Sequence, residues 1–292
     1  MKLSLLFLLI FNFIFGQIKP NNFDTYLKNL DSARVLSQKG DYKSSIKKFN
    51  KAINFAIKHP TLNNFGYFYM EKSSCYFRQN KFRKGLKEFK KGIVYGMKID
   101  VLGYEHLFND TLAKKINKKI AKEYNELINK QYSKIKSPEI NIEIEKLVAQ
   151  DQFFRTNGDL FKSKGIIKTD DDFWKTIEII DSINIVKCID IVKKKGWVNE
   201  MWPLLWHHRD TYKTNNYVWS FFIPFINLEI QKGNVATSFF SWFEDYKNLQ
   251  ENGLSLYGVL PGKVDEKKVN IKRLEIFLTP LNNEQIYFKN NN

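Results

Sequence analysis

Apolar residues in the first third of the chain recur every three or four positions, the spacing of one face of an α-helix. Gly40-Asp41 and Gln79-Asn80 interrupt this pattern and favour turns. The pattern therefore predicts consecutive helices joined by short turns. Two of its apolar stripes are Phe23, Leu27, Leu30, Ala33 and Ile46, Phe49, Ile53, Ile57.

Two segments of this region align at an offset of 40 residues, small residue on small and aromatic on aromatic. The order small–aromatic–small–aromatic–small runs from Ala33 to Ala52 and again from Ser73 to Gly92. This order resembles the tetratricopeptide repeat over residues 23–98, which implies stacked helical hairpins that hold a protein or peptide partner. The usual period is about 34 residues, so the longer one implies a longer loop at 59–65.

A further helix is expected within 104–134, with Asn109 or Asp110 as its cap. Its apolar stripe runs from Leu112 to Leu127 and would cover the open end of the repeat array. Lys118 belongs to a cluster of lysines on the opposite face of this helix.

The second half also has helical spacing. Asp171 or Asp172 should cap a helix that runs from Trp174 to Val192 and ends at Gly196. Residues 254–264 have the composition of a loop. The whole chain is therefore predicted to be all-α, with N-terminal tetratricopeptide-like helical hairpins and a C-terminal helical domain. Further helices are expected over Glu200–Tyr212, Tyr217–Gln231, Ala236–Asn252 and Lys267–Phe277.

Charge and tryptophan divide the chain at the same place. Of the formal net charge of +16, residues 17–136 carry 26 Lys/Arg against 10 Asp/Glu, whereas residues 137–292 are nearly balanced and contain all six tryptophans. We expect a repeat domain at 17–136, a linker at 137–144 and a second domain at 145–288. The basic half could attract nucleic acid, anionic lipid or acidic glycans, but its cations are almost all lysine, which indicates solvated helix faces and no nucleic-acid site.

The N-terminus has the layout of a secretory signal peptide. A positive start is followed by an apolar run from Leu3 to Phe15 and a small residue, Gly16, after which cleavage is expected. The run is short for a membrane span, although a retained anchor is the alternative. The protein is therefore predicted to be exported, periplasmic or extracellular, without stable membrane insertion after cleavage. Cys75 and Cys188 are expected to be buried thiols, a bridge between the domains being the alternative.

A series of residues between 145 and 288 has a distinctive order and spacing: Asp151, Gln152, Arg155, Asp181, Asn184, Gly196, Trp197, His208, Asp210, Gly233, Asp245, Gly253, Tyr257, Gly258, Val264, Asp265, Arg273, Pro280 and Leu281. In this order and spacing, residues 145–288 resemble a bacterial family of unknown function, family 6624. Three positions depart from the family pattern: His207, Tyr246 and Ser255. The resemblance implies no activity.

Nine of these residues form a candidate polar cluster. It has two interpretations: a buried network that fixes the packing of helices, or a pocket in which a histidine acts as general base and arginine or tyrosine binds an anionic group. A metal site at His207, His208 and Asp210 is disfavoured, because adjacent helical residues point about 100° apart. No metal or cofactor is expected. The nine residues are Asp151, Arg155, Asp181, Asn184, His208, Asp210, Asp245, Tyr257 and Arg273.

Arginine is rare in this chain, so its positions in the second half are informative. We expect Arg155 and Arg273 to be at least half-buried and paired with Asp151, Asp181 or Asp245, since lysine cannot reproduce a bidentate contact. No established catalytic motif is present. The sequence therefore favours a non-catalytic protein- or peptide-binding module. A hydrolase or transferase acting on an anionic substrate through His208, Asp245 and Arg273 is the alternative.

Overall fold

The structure is a computed structural model that describes residues 20–59, 62–63, 65–97, 108 and 110–291. The expected signal peptide and the possible cap Asn109 lie outside these residues. Within them the fold is all-α, with two 3₁₀ turns (Asn199–Met201 and Arg209–Thr211) and one isolated β-bridge. The α-helices are α1 Asn22–Gln38, α2 Tyr42–Lys58, α3 Gly66–Arg78, α4 Phe82–Val94, α5 Asp110–Ile120, α6 Tyr124–Tyr132, α7 Pro138–Thr156, α8 Gly158–Ser163, α9 Asp170–Lys195, α10 Trp202–Trp206, α11 Tyr217–Gln231, α12 Ser241–Asn252, α13 Val269–Glu275 and α14 Asn283–Asn291.

The described residues form two compact units, one within 26–229 and one that comprises residues 20–25 and 230–291. In the smaller unit the backbone N–H and the Oγ1 of Thr237 donate to Asp24 over 2.8 and 2.6 Å, and Asn21 donates to the carbonyls of Ile230 and Val235. The segment at 20–25 thus packs with the C-terminal residues. The boundary expected at 137–144 stays a prediction; it lies inside the larger unit, and the expected linker is helical from Pro138.

Small residues let α1 to α4 pack closely, as the sequence predicts. Ser45 of α2 donates a buried hydrogen bond of 2.7 Å to the carbonyl of Ala33 in α1. A Cβ added to Gly66 would lie 2.1 Å from the carbonyl oxygen of Gly92, and one added to Gly85 would lie 2.5 Å from the ring of Phe77. Larger side chains at these glycines would force α3 and α4 apart.

Several helices differ from their predicted bounds. The expected helix through residues 112–127 is two helices, α5 and α6, whose apolar residues enter one core with α3 and α4. Thr169 caps α9, since its Oγ1 accepts from the N–H of Asp172, one of the two expected caps. The expected helix at 200–212 is a short α10 between two 3₁₀ turns, the one at 236–252 begins only at Ser241, and α14 was not expected.

Both cysteines are buried free thiols, as predicted. Burial raises the pKa of the Cys188 thiol to about 12. Among the described helices none is long and apolar enough to cross a membrane.

Candidate functional site

The first candidate site is a groove of about 340 Å³ on the N-terminal helices, which we call the α1/α3 groove. At its centre, Arg34 of α1 donates from Nε and Nη2 to the two carboxylate oxygens of Glu71 in α3, both over 2.9 Å. This bidentate contact raises the pKa of the Arg34 guanidinium. The residues that line the α1/α3 groove are Arg34, Ser37, Gln38, Phe49, Glu71, Ser74 and Arg78.

Arg78 at the end of α3 gives this groove a second guanidinium. Its side chain is exposed, and within the described part of the chain it has no ion-pair partner. An exposed, unpaired guanidinium is suited to bind a carboxylate in a planar, bidentate contact. The groove therefore combines an internally neutralised pair with one available positive charge.

The second candidate site is the part of the polar cluster that lies on α7 and α9. Arg155 Nε lies 3.1 Å from Asp151 Oδ1, and Arg155 Nη2 lies 2.5 Å from Asp181 Oδ1. The Arg155 side chain is half-buried and Asp151 is almost fully buried. The pairing predicted for Arg155 is thus confirmed, because the i, i+4 spacing of Asp151 and Arg155 places both on one helix face.

His207 joins this cluster, although the sequence indicated it only as a disfavoured metal ligand. Its Nε2 lies 3.0 Å from Asp151 Oδ2, which also accepts from the side-chain amide of Gln152 at 2.8 Å. Burial raises the pKa of Asp151, but the bond with His207 and the charge of Arg155 outweigh it, and the net pKa is lowered. The departure from the family pattern at His207 was the only signal that could have identified it.

His208 and Asn184 lie in the same unit, and His208 is partly buried. Asn184 is buried, and neither its Nδ2 nor the Nε2 of His208 has a hydrogen-bond partner among the described residues. Burial lowers the pKa of His208, and the charge and backbone of Asp181 only partly oppose this effect. The neutral imidazole is therefore the form that the folded state favours.

Acidification should consequently destabilise the fold through His208. The unfolded chain binds a proton at this histidine near its ordinary pKa of about 6.5, while the folded chain does so only at lower pH, so this contribution to stability is lost as the pH falls below that value. We expect His208→Gln to reduce the loss of unfolding free energy between about pH 7.5 and 5.5. Urea titrations at both pH values test this. A slope as steep in the variant as in the parent would contradict it.

Asp245 belongs to the other unit and organises the loop that follows α12. Ser255 Oγ donates to its carboxylate, and the backbone N–H groups of Tyr257 and Val259 donate over 2.7 Å each, with that of Leu260 at 3.3 Å. Asp245 is fully buried. A buried carboxylate with four donors is fully satisfied, which favours the structural interpretation for this residue.

Arg273 is half-buried, as predicted, and donates hydrogen bonds to two backbone carbonyls. Its Nη1 donates to the carbonyl of Tyr257 over 2.5 Å and its Nε to that of Thr279 over 2.7 Å. The pairing of Arg273 with an aspartate stays a prediction. The Tyr257 hydroxyl donates to Glu244 at 3.4 Å, and burial raises the pKa of this phenol.

The nine candidate residues thus belong to two separate sets. Asp151, Arg155 and Asp181 are in direct contact in the larger unit, which also contains Asn184 and His208, while Asp245, Tyr257 and Arg273 hold a loop in the smaller one. Asp210 is exposed in the 3₁₀ turn after His208. Across the described ranges no group of three His, Cys, Asp or Glu side chains is arranged to hold a metal ion.

A polar contact that the sequence did not indicate ties the loop before α3 to the start of α7. Lys136 Nζ donates to the carbonyls of Ala56, His59 and Leu62, at 3.0 Å for Ala56 and 3.3 Å for Leu62. Burial lowers the pKa of this ammonium group. Because its acceptors are backbone carbonyls about 75 residues away, no local pattern identifies them.

No protein-family model matches the chain. Comparison with curated proteins and with solved structures gives no match either. The tetratricopeptide-like and family 6624 resemblances therefore stay predictions from the sequence.

Proposed function

We propose that this protein is an exported, non-catalytic binding protein whose α1/α3 groove holds a protein or peptide partner. The observation that carries the proposal is the exposed Arg78 guanidinium beside the Arg34–Glu71 pair in a groove of about 340 Å³. The repeat-like sequence and the N-terminal signal pattern support it. An activity on an anionic substrate has less support, because Asp245 and Arg273 are engaged in holding their own loop.

The charge of the groove and its surroundings indicates the chemistry of the partner. Arg78 and the lysine-rich surface of residues 17–136 favour a segment that carries carboxylates. The positive charge of Arg34 is already compensated by Glu71, which takes two of the five N–H donors of the guanidinium. Arg78 is therefore expected to contribute most to recognition, through a charge-assisted hydrogen bond.

Arg78→Ala should abolish most binding while leaving the fold intact, since Arg78 is exposed. Residues 17–292 serve as bait for exported proteins of the same cell. We expect the variant to recover about tenfold less of the partner than the parent chain does, equivalent to about 1.4 kcal/mol of binding free energy. The full exported chain is required, because residues 20–25 pack with residues 230–291.

Lys118→Ala is the matched control, an exposed cation of α5 outside the groove. It should bind as the parent does. Equal recovery by the parent and both variants would contradict the groove as the binding site, and recovery of no partner by the parent would contradict the function itself.

A further inference from the structure

The long helix α9 exposes apolar side chains on its outer face. Ile179, Ile183 and Val186 are 61%, 50% and 51% exposed. Their spacing of four and three residues places them on one helix face. Together with Glu178, Ser182 and Lys187 they line a shallow depression of about 630 Å³. A contiguous exposed apolar patch of this kind marks an interaction surface.

Exposed charges continue this stripe towards both ends of α9. None of these charges takes part in an ion pair within the described residues. The first turn of the helix is acidic and its last turn is basic. The charged residues of the stripe are Asp171, Lys175, Glu178, Lys187, Asp190 and Lys194.

This arrangement of charges is self-complementary in one orientation. When two α9 helices pack antiparallel about an axis between Ser182 and Ile183, Ile179 is level with Val186 of the second copy. Lys175 is then level with Asp190, and the acidic first turn with the basic last turn. Parallel packing in register would instead place like charges level with each other, which is unfavourable.

We propose that α9 is a self-association surface through which two copies of this chain pair antiparallel. The helix has 26 residues and is about 39 Å long. One helix pair is small compared with standard protein interfaces, which bury about 1,600 Å² in total. The dimer therefore dissociates in the micromolar range, about −8 kcal/mol, and its population depends on concentration.

Sedimentation velocity on residues 17–292, from about 1 to 200 µM, tests the surface. The parent chain should shift from monomer to dimer over this range. Ile183→Asp places two carboxylates near the two-fold axis and should remain monomeric throughout. Leu228→Asp, at a position that is also about half exposed but on α11, should dimerise as the parent does. A monomeric parent, or a dimer unaffected by Ile183→Asp, would overturn the proposal.

A charge exchange tests the orientation. Lys175→Glu should weaken the dimer by about three- to tenfold, because it opposes like charges at two symmetric places. Adding Asp190→Lys to the same chain should restore the parent affinity in the antiparallel arrangement only. A double variant as weak as the single one would refute this orientation. Far-ultraviolet circular dichroism checks that each variant keeps its helices.

Discussion

Replacing Arg155 with methionine should lower the free energy of unfolding by about 3–5 kcal/mol. The substitution removes the cation that Asp151 and Asp181 share at 3.1 and 2.5 Å. Asp151 is almost fully buried, so its carboxylate would be left with the hydrogen bonds to His207 and Gln152 but without the guanidinium charge. Urea denaturation followed by tryptophan fluorescence measures the loss, since five of the six tryptophans lie in this unit.

Two further variants show whether charge is the cause. Asp151→Asn combined with Arg155→Met should recover part of the stability, because residues in contact have non-additive effects. Lys118→Ala should change the free energy by less than about 0.5 kcal/mol, as expected for an exposed site. A loss below about 1 kcal/mol for Arg155→Met would contradict a structural role and favour a binding role for the guanidinium.

Asp245→Asn should lower the free energy of unfolding by about 3 kcal/mol, although the two side chains have nearly the same size and shape. An amide presents an NH₂ group where the carboxylate accepts hydrogen bonds. One of the groups that donate to Asp245, such as the N–H of Tyr257 or of Val259, would then lose its acceptor inside the protein. Hydrogen exchange at residues 255–260 should accelerate together with the loss of stability.

Asp265→Asn is the matched control for this prediction. Asp265 also accepts from two backbone N–H groups, those of Lys267 and Lys268, but its side chain is 39% exposed and water can replace the lost bond. We expect a cost of about 1 kcal/mol or less. Equal effects of the two substitutions would show that burial of Asp245 is not the reason why its hydrogen bonds stabilise the fold.

Interactions between neighbours in the sequence could be predicted directly, whereas those between distant residues could at most be named among several candidates. The i, i+4 pair of Asp151 and Arg155 follows from helical spacing alone. The contact of Arg155 with Asp181 depends on how α7 packs against α9. The bond from His207 to Asp151 spans 56 residues and has no local signal apart from an unusual residue at one position.

The loop at residues 254–264 also shows what could not be predicted from the sequence. The composition of residues 254–264 predicted a loop, but not that its N–H groups would surround Asp245. That arrangement satisfies the carboxylate through backbone donors whose position depends on the whole loop, which no local pattern in the sequence indicates.

The sequence by itself determined the all-α class, the turns at Gly40 and Asn80 and the full extent of α11, because helical periodicity and turn chemistry act over a few residues. Only the tertiary structure decided which side of α9 is buried. Apolar residues occur all round this helix, so the sequence does not distinguish Ile177 from Ile183, whereas the fold buries Ile177 and leaves Ile183 half exposed. A helix with apolar residues on every side has no preferred face until its neighbours cover one.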